Sequence, residues 1–266
     1  MPSPFSSLFF DAASGRSSRA GLLPHLLGWL LALLAVSLLF VFAFSQLQYG
    51  WNWGAVLAYR AKFLQGWLVT VAISAGALCA SLLIGLTAAL ARRCPFLPVS
   101  SLGTLYVELI RGTPLLVQIL VFFYVVADAF GVSNRYLVGV ITLSLFAGAY
   151  ISEIIRAGIE SIGESQLESA RAIGLNRWQT YRYVVFPQVV RRLLPPLAGQ
   201  FASIIKDSSL LSIIAVSEFS LNAQEVNAFT YSTLESYLPL AVGYLLLTLP
   251  ISLASRALER KFRYAT

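Results

Sequence analysis

Four side chains that could carry chemistry lie within long apolar stretches of the sequence, where ionisable groups are costly. Glu153 stands in GAYISEIIRAG, and Lys206, Asp207 and Ser208 stand together in GQFASIIKDSSLLSIIAV. Ionisable residues in such surroundings usually face a cavity or a protein partner, and a carboxylate facing a cavity could hold an ammonium or other basic group. We interpret these four residues as candidates to border a translocation path, with structural packing as the alternative role.

Helical spacing decides which of the charges in these stretches can pair locally. Glu108 and Arg111 are three residues apart and lie on neighbouring helix faces, which predicts a structural ion pair. The only local cation partner for Glu153 is Arg156. The adjacent lysine and aspartate of segment 206–209 would point apart on an intact helix, and an unwound turn there would let them meet or line a cavity.

Patterns typical of enzymes are weak in this sequence. A phosphate-binding loop needs Gly-Lys-Ser/Thr, and none of the lysines Lys62, Lys206 and Lys261 follows a glycine. The single histidine, His25, cannot form a His-rich metal site. A serine protease using Ser208 or Ser209 with Lys206 is disfavoured because the three residues are too close along the chain. We therefore expect a non-catalytic chain without metal or cofactor, whose energy comes from a partner or an ion gradient.

The elements that must position these residues are membrane spans. Of the 266 residues, 58% are apolar and only 12% are charged, whereas soluble domains are about a quarter charged. Apolar runs of membrane length predict about six transmembrane helices. They lie near residues 22–44, 66–91, 100–129, 137–156, 196–217 and 237–256. The Gly-Thr-Pro step at 112–114 predicts a break or kink in the third span, and the first is too long for a signal peptide.

The placement of lysine and arginine predicts the orientation of the spans. With the N-terminus inside, fourteen of these residues fall on the inner side and three on the outer side, namely Arg60, Lys62 and Arg135. Both termini and the polar insert 158–195 are then cytoplasmic. The net charge of +7 is explained by this bias, so we do not expect nucleic-acid binding.

Local signals predict two short helices with a sharp bend in the insert 158–195. Ser165 and Glu168 form an S-x-x-E capping box, so a helix can start there. Gly174 fits a left-handed cap at the end of this helix. Asn176 can cap a second helix, with Gln179 three residues later.

The second helix is expected to end before Pro187 and to carry Trp178, Tyr181 and Val185 on one stripe. In the first helix, small residues at 169, 170 and 172 would let another surface approach closely. Two interpretations remain open on spacing alone. The pair could insert into a partner's groove, or it could lie on anionic lipid headgroups.

The segment GAYISEIIRAGIESIGESQLESARAIGLNRWQTYRYVVFPQVVRRLLPPLAGQFASIIKDSSLLSII resembles permease subunits of ABC importers, in the polar amino acid uptake family. Their cytoplasmic EAA loop has an acidic residue and small residues, then a glycine and later a proline. Glu168, Ser169, Ala170, Gly174 and Pro187 stand at those places. YVELIRGTPLLVQ and KDSSL resemble two further motifs of the group, and the resemblance covers residues 64–260.

Three departures from the family pattern are visible. Ser169 replaces the usual first alanine, a small change. Residues 163–166 read Gly-Glu-Ser-Gln where the family commonly has Pro-x-Gly-Gln, which affects the entry angle of the docking helix. Many members have five spans, and residues 1–65 add one that the resemblance does not explain.

We expect an all-α, polytopic membrane protein with two regions, and the resemblance implies the permease fold for the second of them. Residues 1–65 would hold a cytoplasmic tail, an extra transmembrane helix and a periplasmic loop, and residues 66–260 the permease domain. The residues implied to couple with a cytoplasmic ABC ATPase dimer are Glu164, Gln166, Glu168, Ser169, Ala170 and Gly174. The other implied partners are a second permease, identical or a sister chain, a periplasmic or lipid-anchored solute-binding protein, an amino acid and membrane lipid. The location would be the bacterial inner membrane.

Alternatives to an amino acid importer follow from the same features. The solute could be an amino acid analogue such as an opine or cystine. A secondary transporter would need no ATPase, although such carriers usually show internal repeats that this sequence lacks. A membrane scaffold would show no solute-dependent activity.

Overall fold

The computed structural model describes residues 22–46 and 49–262. Arg16, Arg19 and the tail predicted to be cytoplasmic lie outside the described residues, as does Arg263. The chain divides into two compact units, 1–51 and 52–266. The predicted boundary after residue 65 instead falls within a helix of the second unit. The second unit begins earlier because the backbone N–H of Asn52 hydrogen-bonds to the buried Glu235 of that unit.

The described part of the first unit contains one helix, α1, Leu22–Ser45. Its span Leu26–Ser45 has a mean hydropathy of 2.6, which agrees with the predicted first span. Aromatic side chains follow the helix: Phe44 packs against Trp51, and Trp51 meets Tyr49 edge-on.

All regular elements in the described part of the second unit are helices, as the predicted all-α class requires. Its helices are α2 (Trp53–Leu57), α3 (Arg60–Ala91), α4 (Leu97–Arg111), α5 (Leu115–Val121), α6 (Arg135–Glu160), α7 (Glu164–Ala172), α8 (Arg177–Gln179), α9 (Phe186–Asp207), α10 (Phe219–Thr230) and α11 (Thr233–Phe262). It also contains two π-helical segments, Phe122–Ala127 and Thr180–Val185, and a 3-10 segment, Ser208–Ile214.

Four described helices, α1, α3, α6 and α11, are long and apolar enough to cross a membrane. A fifth membrane span is possible if α4 forms one broken span with α5 and the π segment that follows it. The two arms of this span, Leu97–Arg111 and Leu115–Ala127, are bent by 109°. The predicted count of six is therefore not confirmed. The predicted span 196–217 lies on α9 and the 3-10 segment, where Lys206 and Asp207 interrupt the apolar stretch.

The Gly-Thr-Pro step breaks the third predicted span, as expected. Gly112 ends α4, and Pro114 has an extended backbone (φ −64°, ψ 138°) immediately before α5. Proline cannot supply the N–H that a continuing helix needs. The chain therefore turns at this step.

The core of the second unit forms where α3 and α6 pack closely at small residues. A Cβ on Gly85 of α3 would lie 2.5 Å from Ile151 of α6, and one on Gly148 would lie 2.7 Å from Ile84. Leu143, Ile204 and Leu211 join α6 to α9 and the 3-10 segment in the largest buried apolar cluster. The helices that carry the charged residues are thus held in fixed positions by close packing.

Candidate functional site

Helix α7 begins two residues earlier than the sequence predicts. Gly163 is its N-cap, in an extended conformation, and Glu164 is its first residue. The predicted Ser165–Glu168 capping box is therefore wrong, and Ser165 lies inside the helix, where its carbonyl accepts from Ser169 Oγ at 2.8 Å. The start is favoured because the Glu164 carboxylate lies near the positive end of the helix dipole.

The bend after α7 is formed as predicted. Gly174 has φ +78°, a left-handed conformation that side chains disfavour. The N–H of Leu175 donates to the carbonyl of Ala170 at 3.1 Å, and that of Gly174 to Arg171 at 2.9 Å. These two bonds form a Schellman motif. The predicted capping box of Asn176 with Gln179 is also present and starts α8.

The two faces of α7 differ in their contacts. Ala170 is only 2% exposed, and Leu167 packs on a small apolar core formed by Ile162, Val185 and Val189. The prediction that Ala170 offers a free small-residue surface is therefore wrong, because this residue faces its own chain.

The remaining predicted coupling residues lie on the exposed side of this segment: Glu164, Gln166, Glu168, Ser169 and Gly174. Gln166 additionally accepts a hydrogen bond from Gln188 of α9. A partner protein would therefore meet an acidic and polar helix face.

The second short helix does not end before Pro187. From α8 the chain continues through the π segment Thr180–Val185 directly into α9, with Pro187 in the first turn of α9. Proline supplies no N–H to the helical hydrogen-bond ladder, and the π-helical turn that precedes Pro187 is where this continuous helix departs from the regular ladder. Of the predicted stripe, Val185 is buried, whereas Trp178 and Tyr181 are exposed.

Glu153 has three arginine neighbours, two of them from other helices. Its Oε2 lies 2.8 Å from Arg92 Nη1, just past α3, and 3.7 Å from Arg111 Nη1, at the end of α4. Its Oε1 accepts from Arg156 Nε at 2.8 Å. We call these four residues the Glu153 cluster. Sequence reasoning named only Arg156, because the other two contacts arise from packing between distant segments.

The predicted Glu108–Arg111 ion pair is not formed. Arg111 turns to Glu153 and stacks over the ring of Tyr150, 5.5 Å from its centroid. Glu108 makes no ion pair with any residue in the described part of the chain. The arginine prefers the site on α6 because a carboxylate and an aromatic face are both available there.

The predicted unwound turn at residues 207–209 is not formed, because the chain stays helical there and only changes from α-helical to 3-10 hydrogen bonding. Helix α9 ends at Asp207, and the 3-10 segment begins at Ser208, which is buried and donates to the carbonyl of Ile205 at 2.8 Å. The segment ends at Ala215 in a left-handed conformation (φ 56°), where Arg135 donates to its carbonyl at 3.0 Å. Lys206 and Asp207 form no ion pair within residues 22–46 and 49–262.

The structure does not bring Glu153 and Asp207 together. Leu211, just beyond Asp207, packs at Gly139 near the start of α6. Gly139 and Glu153 are separated along α6 by roughly 20 Å at 1.5 Å per residue. Glu153 and Asp207, which the sequence predicted to border one translocation path, therefore lie in separate regions of the fold.

Among the buried polar side chains that the sequence did not reveal, two stabilise a turn or a helix end. Gln118 of α5 donates to the carbonyls of Ile110 and Thr113 at 2.7 and 3.1 Å, which holds the broken turn together. Glu218 is fully buried and caps α10 by accepting from the N–H groups of Ser220 and Leu221, both at 2.8 Å. A glutamate before a helical pattern is a weak capping signal, and the sequence does not reveal its burial.

The profile of a protein family described as "Binding-protein-dependent transport system inner membrane component" matches residues 81–264. The chain belongs to this family. The family match includes α6, the α7–α8 bend, α9 and the 3-10 segment, so it contains the structural features described above.

Named relatives of this transport component are amino acid permeases. The chain is 36% identical to the glutamine transport system permease protein GlnP of Escherichia coli over 214 residues, 80% of this chain and 98% of that one. It is 40% identical to the L-cystine transport system permease protein TcyB of Bacillus subtilis over 182 residues, covering 68% and 77%.

A solved structure of an amino acid ABC transporter has the same fold as this transport component. The TM-score is 0.74 at 31% identity, and the match covers 80% of this chain and 100% of the other. The uncovered part of the present chain is therefore additional to that fold. The family assignment and the apolar helices together make this chain a multi-pass inner-membrane protein.

Proposed function

We propose that this chain forms part of the transmembrane pathway of an ATP-driven importer for a polar amino acid. The observation that carries the proposal is α7, a short helix with an exposed acidic face and an anchored apolar face. A helix of this kind suits docking in a cleft of a partner protein. The names of the relatives, which include glutamine permeases, supply the solute class.

Packing contacts connect α7 to helix α9, which leads into the apolar part of the chain. Leu167 of α7 packs on the core that includes Val185 and Val189, and Val189 is part of α9. Helix α9 then continues to Asp207, with Pro195 and Pro196 in its interior. We infer that movement of a docked ATPase would displace α7 and α9 together, and that the displacement would reach the junction between α9 and the 3-10 segment at Asp207.

We assign Lys206 and Asp207 to the translocation path, whereas Ser208, which the sequence predicts with them, is fully buried and supports them from within the chain. Lys206 and Asp207 lie where α-helical hydrogen bonding gives way to 3-10 hydrogen bonding inside an apolar region, and departures from regular helix occur at solute sites in other transporters. Glu153 has a different role in this proposal. With three guanidinium groups around it, its charge is already compensated, so we assign it to linking α3, α4 and α6.

The assembly we propose contains an ABC ATPase dimer below two permease subunits, this chain with a copy or a sister chain. A periplasmic or lipid-anchored binding protein delivers the solute from outside. Both termini are cytoplasmic in this arrangement, as the lysine and arginine bias predicts. ATP hydrolysis belongs to the partner.

The docking proposal is tested with Glu168→Arg, which reverses one exposed charge on α7. We expect solute-stimulated ATPase activity in proteoliposomes to fall about tenfold or more, since losing one partner of a buried interfacial charge contact costs roughly 2 kcal/mol or more. The matched control is Glu259→Arg, an exposed glutamate near the end of α11. Equal activity of the two variants would remove α7 from the interface.

A second test uses the backbone at Gly174. Gly174→Ala places a side chain in the left-handed region, which costs roughly 1 kcal/mol, whereas Gly174→Asn costs less because asparagine tolerates this conformation. We expect the alanine variant to lose several-fold more coupled transport than the asparagine variant. Transport without any co-purifying ATPase would instead favour a secondary transporter.

The solute is identified by uptake competition with the purified assembly. Glutamine is the first candidate, and cystine the second because of the 40% identical relative. An opine is the third. Failure of all amino acids and these analogues to stimulate the ATPase would overturn the substrate class while leaving the family assignment intact.

A further inference from the structure

We propose that a groove beside the α7–α8 bend binds an anionic membrane phospholipid, with its headgroup between Arg93 and Arg182. The inference rests on the proposed cytoplasmic orientation of this bend. The groove has a volume of about 400 Å³, within the range of ligand sites. Its walls are apolar side chains from α6, α8, the adjoining π segment and α9, with the two arginines among them.

The aromatic side chains of the groove match the chemistry of a membrane interface. Trp178 is 74% exposed, and Tyr181 and Phe186 are more than half exposed. Tryptophan and tyrosine are enriched where headgroups meet acyl chains, because each ring has an apolar body and a polar edge. Apolar walls of this kind would accept an acyl chain.

The two arginines of the groove are free, in contrast to their neighbours. Arg92 and Arg156 both bind Glu153, and Arg156 also binds Glu160. The side chains of Arg93 and Arg182 form no ion pair or hydrogen bond with any residue that the structure describes. An uncompensated pair of guanidinium groups beside an apolar groove is complementary to a phosphate attached to an acyl chain.

The position of the groove connects lipid binding to coupling. Val185 and Val189 line the groove and also belong to the apolar core on which α7 packs. A bound lipid would therefore support that core from the opposite side. We expect the assembly to need anionic lipid for full solute-stimulated ATPase activity.

The test measures lipid retention by native mass spectrometry of the complete assembly in mild detergent, with phosphatidylglycerol or phosphatidylcholine added. We expect one preferentially retained phosphatidylglycerol per chain. The double variant Arg93→Gln with Arg182→Gln should bind phosphatidylglycerol about thirtyfold more weakly. This size is expected because each basic side chain near an anionic lipid surface contributes a similar attraction, and two are lost. Arg256→Gln with Arg260→Gln, the same loss of charge on α11, should leave retention unchanged.

A second variant separates the apolar and charged contributions. Trp178→Ala keeps both arginines and should reduce retention of phosphatidylglycerol several-fold. Equal retention of the two lipids, or unchanged retention in the double arginine variant, would overturn the proposal. So would a photocrosslinker at position 182 that labels a partner protein in preference to lipid.

The same preparation distinguishes this inference from the proposed function. If the ATPase co-purifies and responds to solute but no lipid is retained, only the lipid site is wrong. If no ATPase co-purifies and uptake is absent, the proposed function fails, and retained lipid would then still support the groove.

Discussion

Two glutamates of the second unit occupy very different surroundings. Glu153 is partly exposed, with 21% of its side chain accessible, and it lies among three arginines. Glu218 is fully buried, and its recorded partners are the backbone of α10 and the hydroxyl groups of Thr70 and Tyr244. One carboxylate is surrounded by cations, and the other is surrounded by neutral donors.

The different surroundings indicate which structural elements each carboxylate connects and by which interaction. Glu153 joins three helices through charge, so its negative charge is the essential property. Glu218 caps α10 and also reaches α3 through Thr70 and α11 through Tyr244, with Tyr244 Oη at 2.9 Å. For this site, hydrogen-bond acceptance and shape are the essential properties. Neutral substitutions of equal size should therefore separate the two sites.

The largest effect is expected for Glu153→Gln. The substitution leaves Arg92 without its partner although the Arg92 side chain is only 15% exposed. Breaking a buried ion pair by removing one partner costs 3–5 kcal/mol, and partial exposure here reduces the cost to about 2–3 kcal/mol. We expect the melting temperature in detergent to fall by about 5–10 °C.

The control for this prediction is Glu160→Gln. Glu160 binds Arg156 at the exposed end of α6, where its side chain is 52% accessible. Exposed pairs contribute about 0–1 kcal/mol, so this variant should melt within about 2 °C of the wild type. Equal losses in both variants would mean that the Glu153 cluster behaves as an ordinary surface network.

The helical elements of the α7–α8 bend were largely predictable from sequence because their signals are local. Gly174 and Asn176 act on hydrogen bonds within a few residues, and both predictions are confirmed. The break at Gly112–Pro114 has the same origin. Such features depend on backbone geometry that nearby residues determine.

The Glu153 cluster could be predicted only in part, since its contacts join distant segments. Arg92 is 61 residues away from Glu153, and no periodicity relates the two. The helical spacing of Glu108 and Arg111 allowed a local pair, but packing offered Arg111 a partner on α6. The inward orientation of Ala170 also depends on packing, because the sequence does not show which face of α7 meets its own chain.

The second effect in size is expected for Glu218→Ala. This change removes the cap of α10, worth up to about 2 kcal/mol, and leaves the hydroxyl of Tyr244 without its carboxylate partner. We expect a loss of about 2 kcal/mol in the free energy of unfolding. Hydrogen exchange at the first turn of α10 is the direct measurement, and unchanged protection there would contradict the capping role.

Glu218→Gln should have a smaller effect than Glu218→Ala. Glutamine keeps one acceptor oxygen, and its amide can donate to the hydroxyls of Thr70 and Tyr244. One backbone bond, from Ser220 or Leu221, is lost, which costs about 1 kcal/mol. If Glu218→Gln instead destabilised the protein as much as Glu153→Gln, the contrast between a charged cluster and a neutral cap would be wrong.

The smallest expected effect is a dependence of the free energy of unfolding on pH that arises from Glu218. This residue lies outside the apolar spans, and burial raises the pKa of its carboxyl group above the ordinary value of 4.5. The folded state therefore holds the proton more tightly than the unfolded state does. The stability from this group is complete below the usual carboxyl range and declines as pH rises through the folded-state pKa.

The glutamine side chain of the Glu218→Gln variant does not titrate, so the free energy of unfolding of this variant does not decline with pH through this site. The stability advantage of the wild type over Glu218→Gln should be largest in acid and should narrow towards neutral pH. Melting temperatures of both proteins, measured across the acidic to neutral range, test the slope. An advantage that widens as pH rises would show that the folded state favours the ionised carboxylate at Glu218. Negative charge would then be the essential property of both glutamates, although none of the hydrogen-bond donors described for Glu218 is a cation.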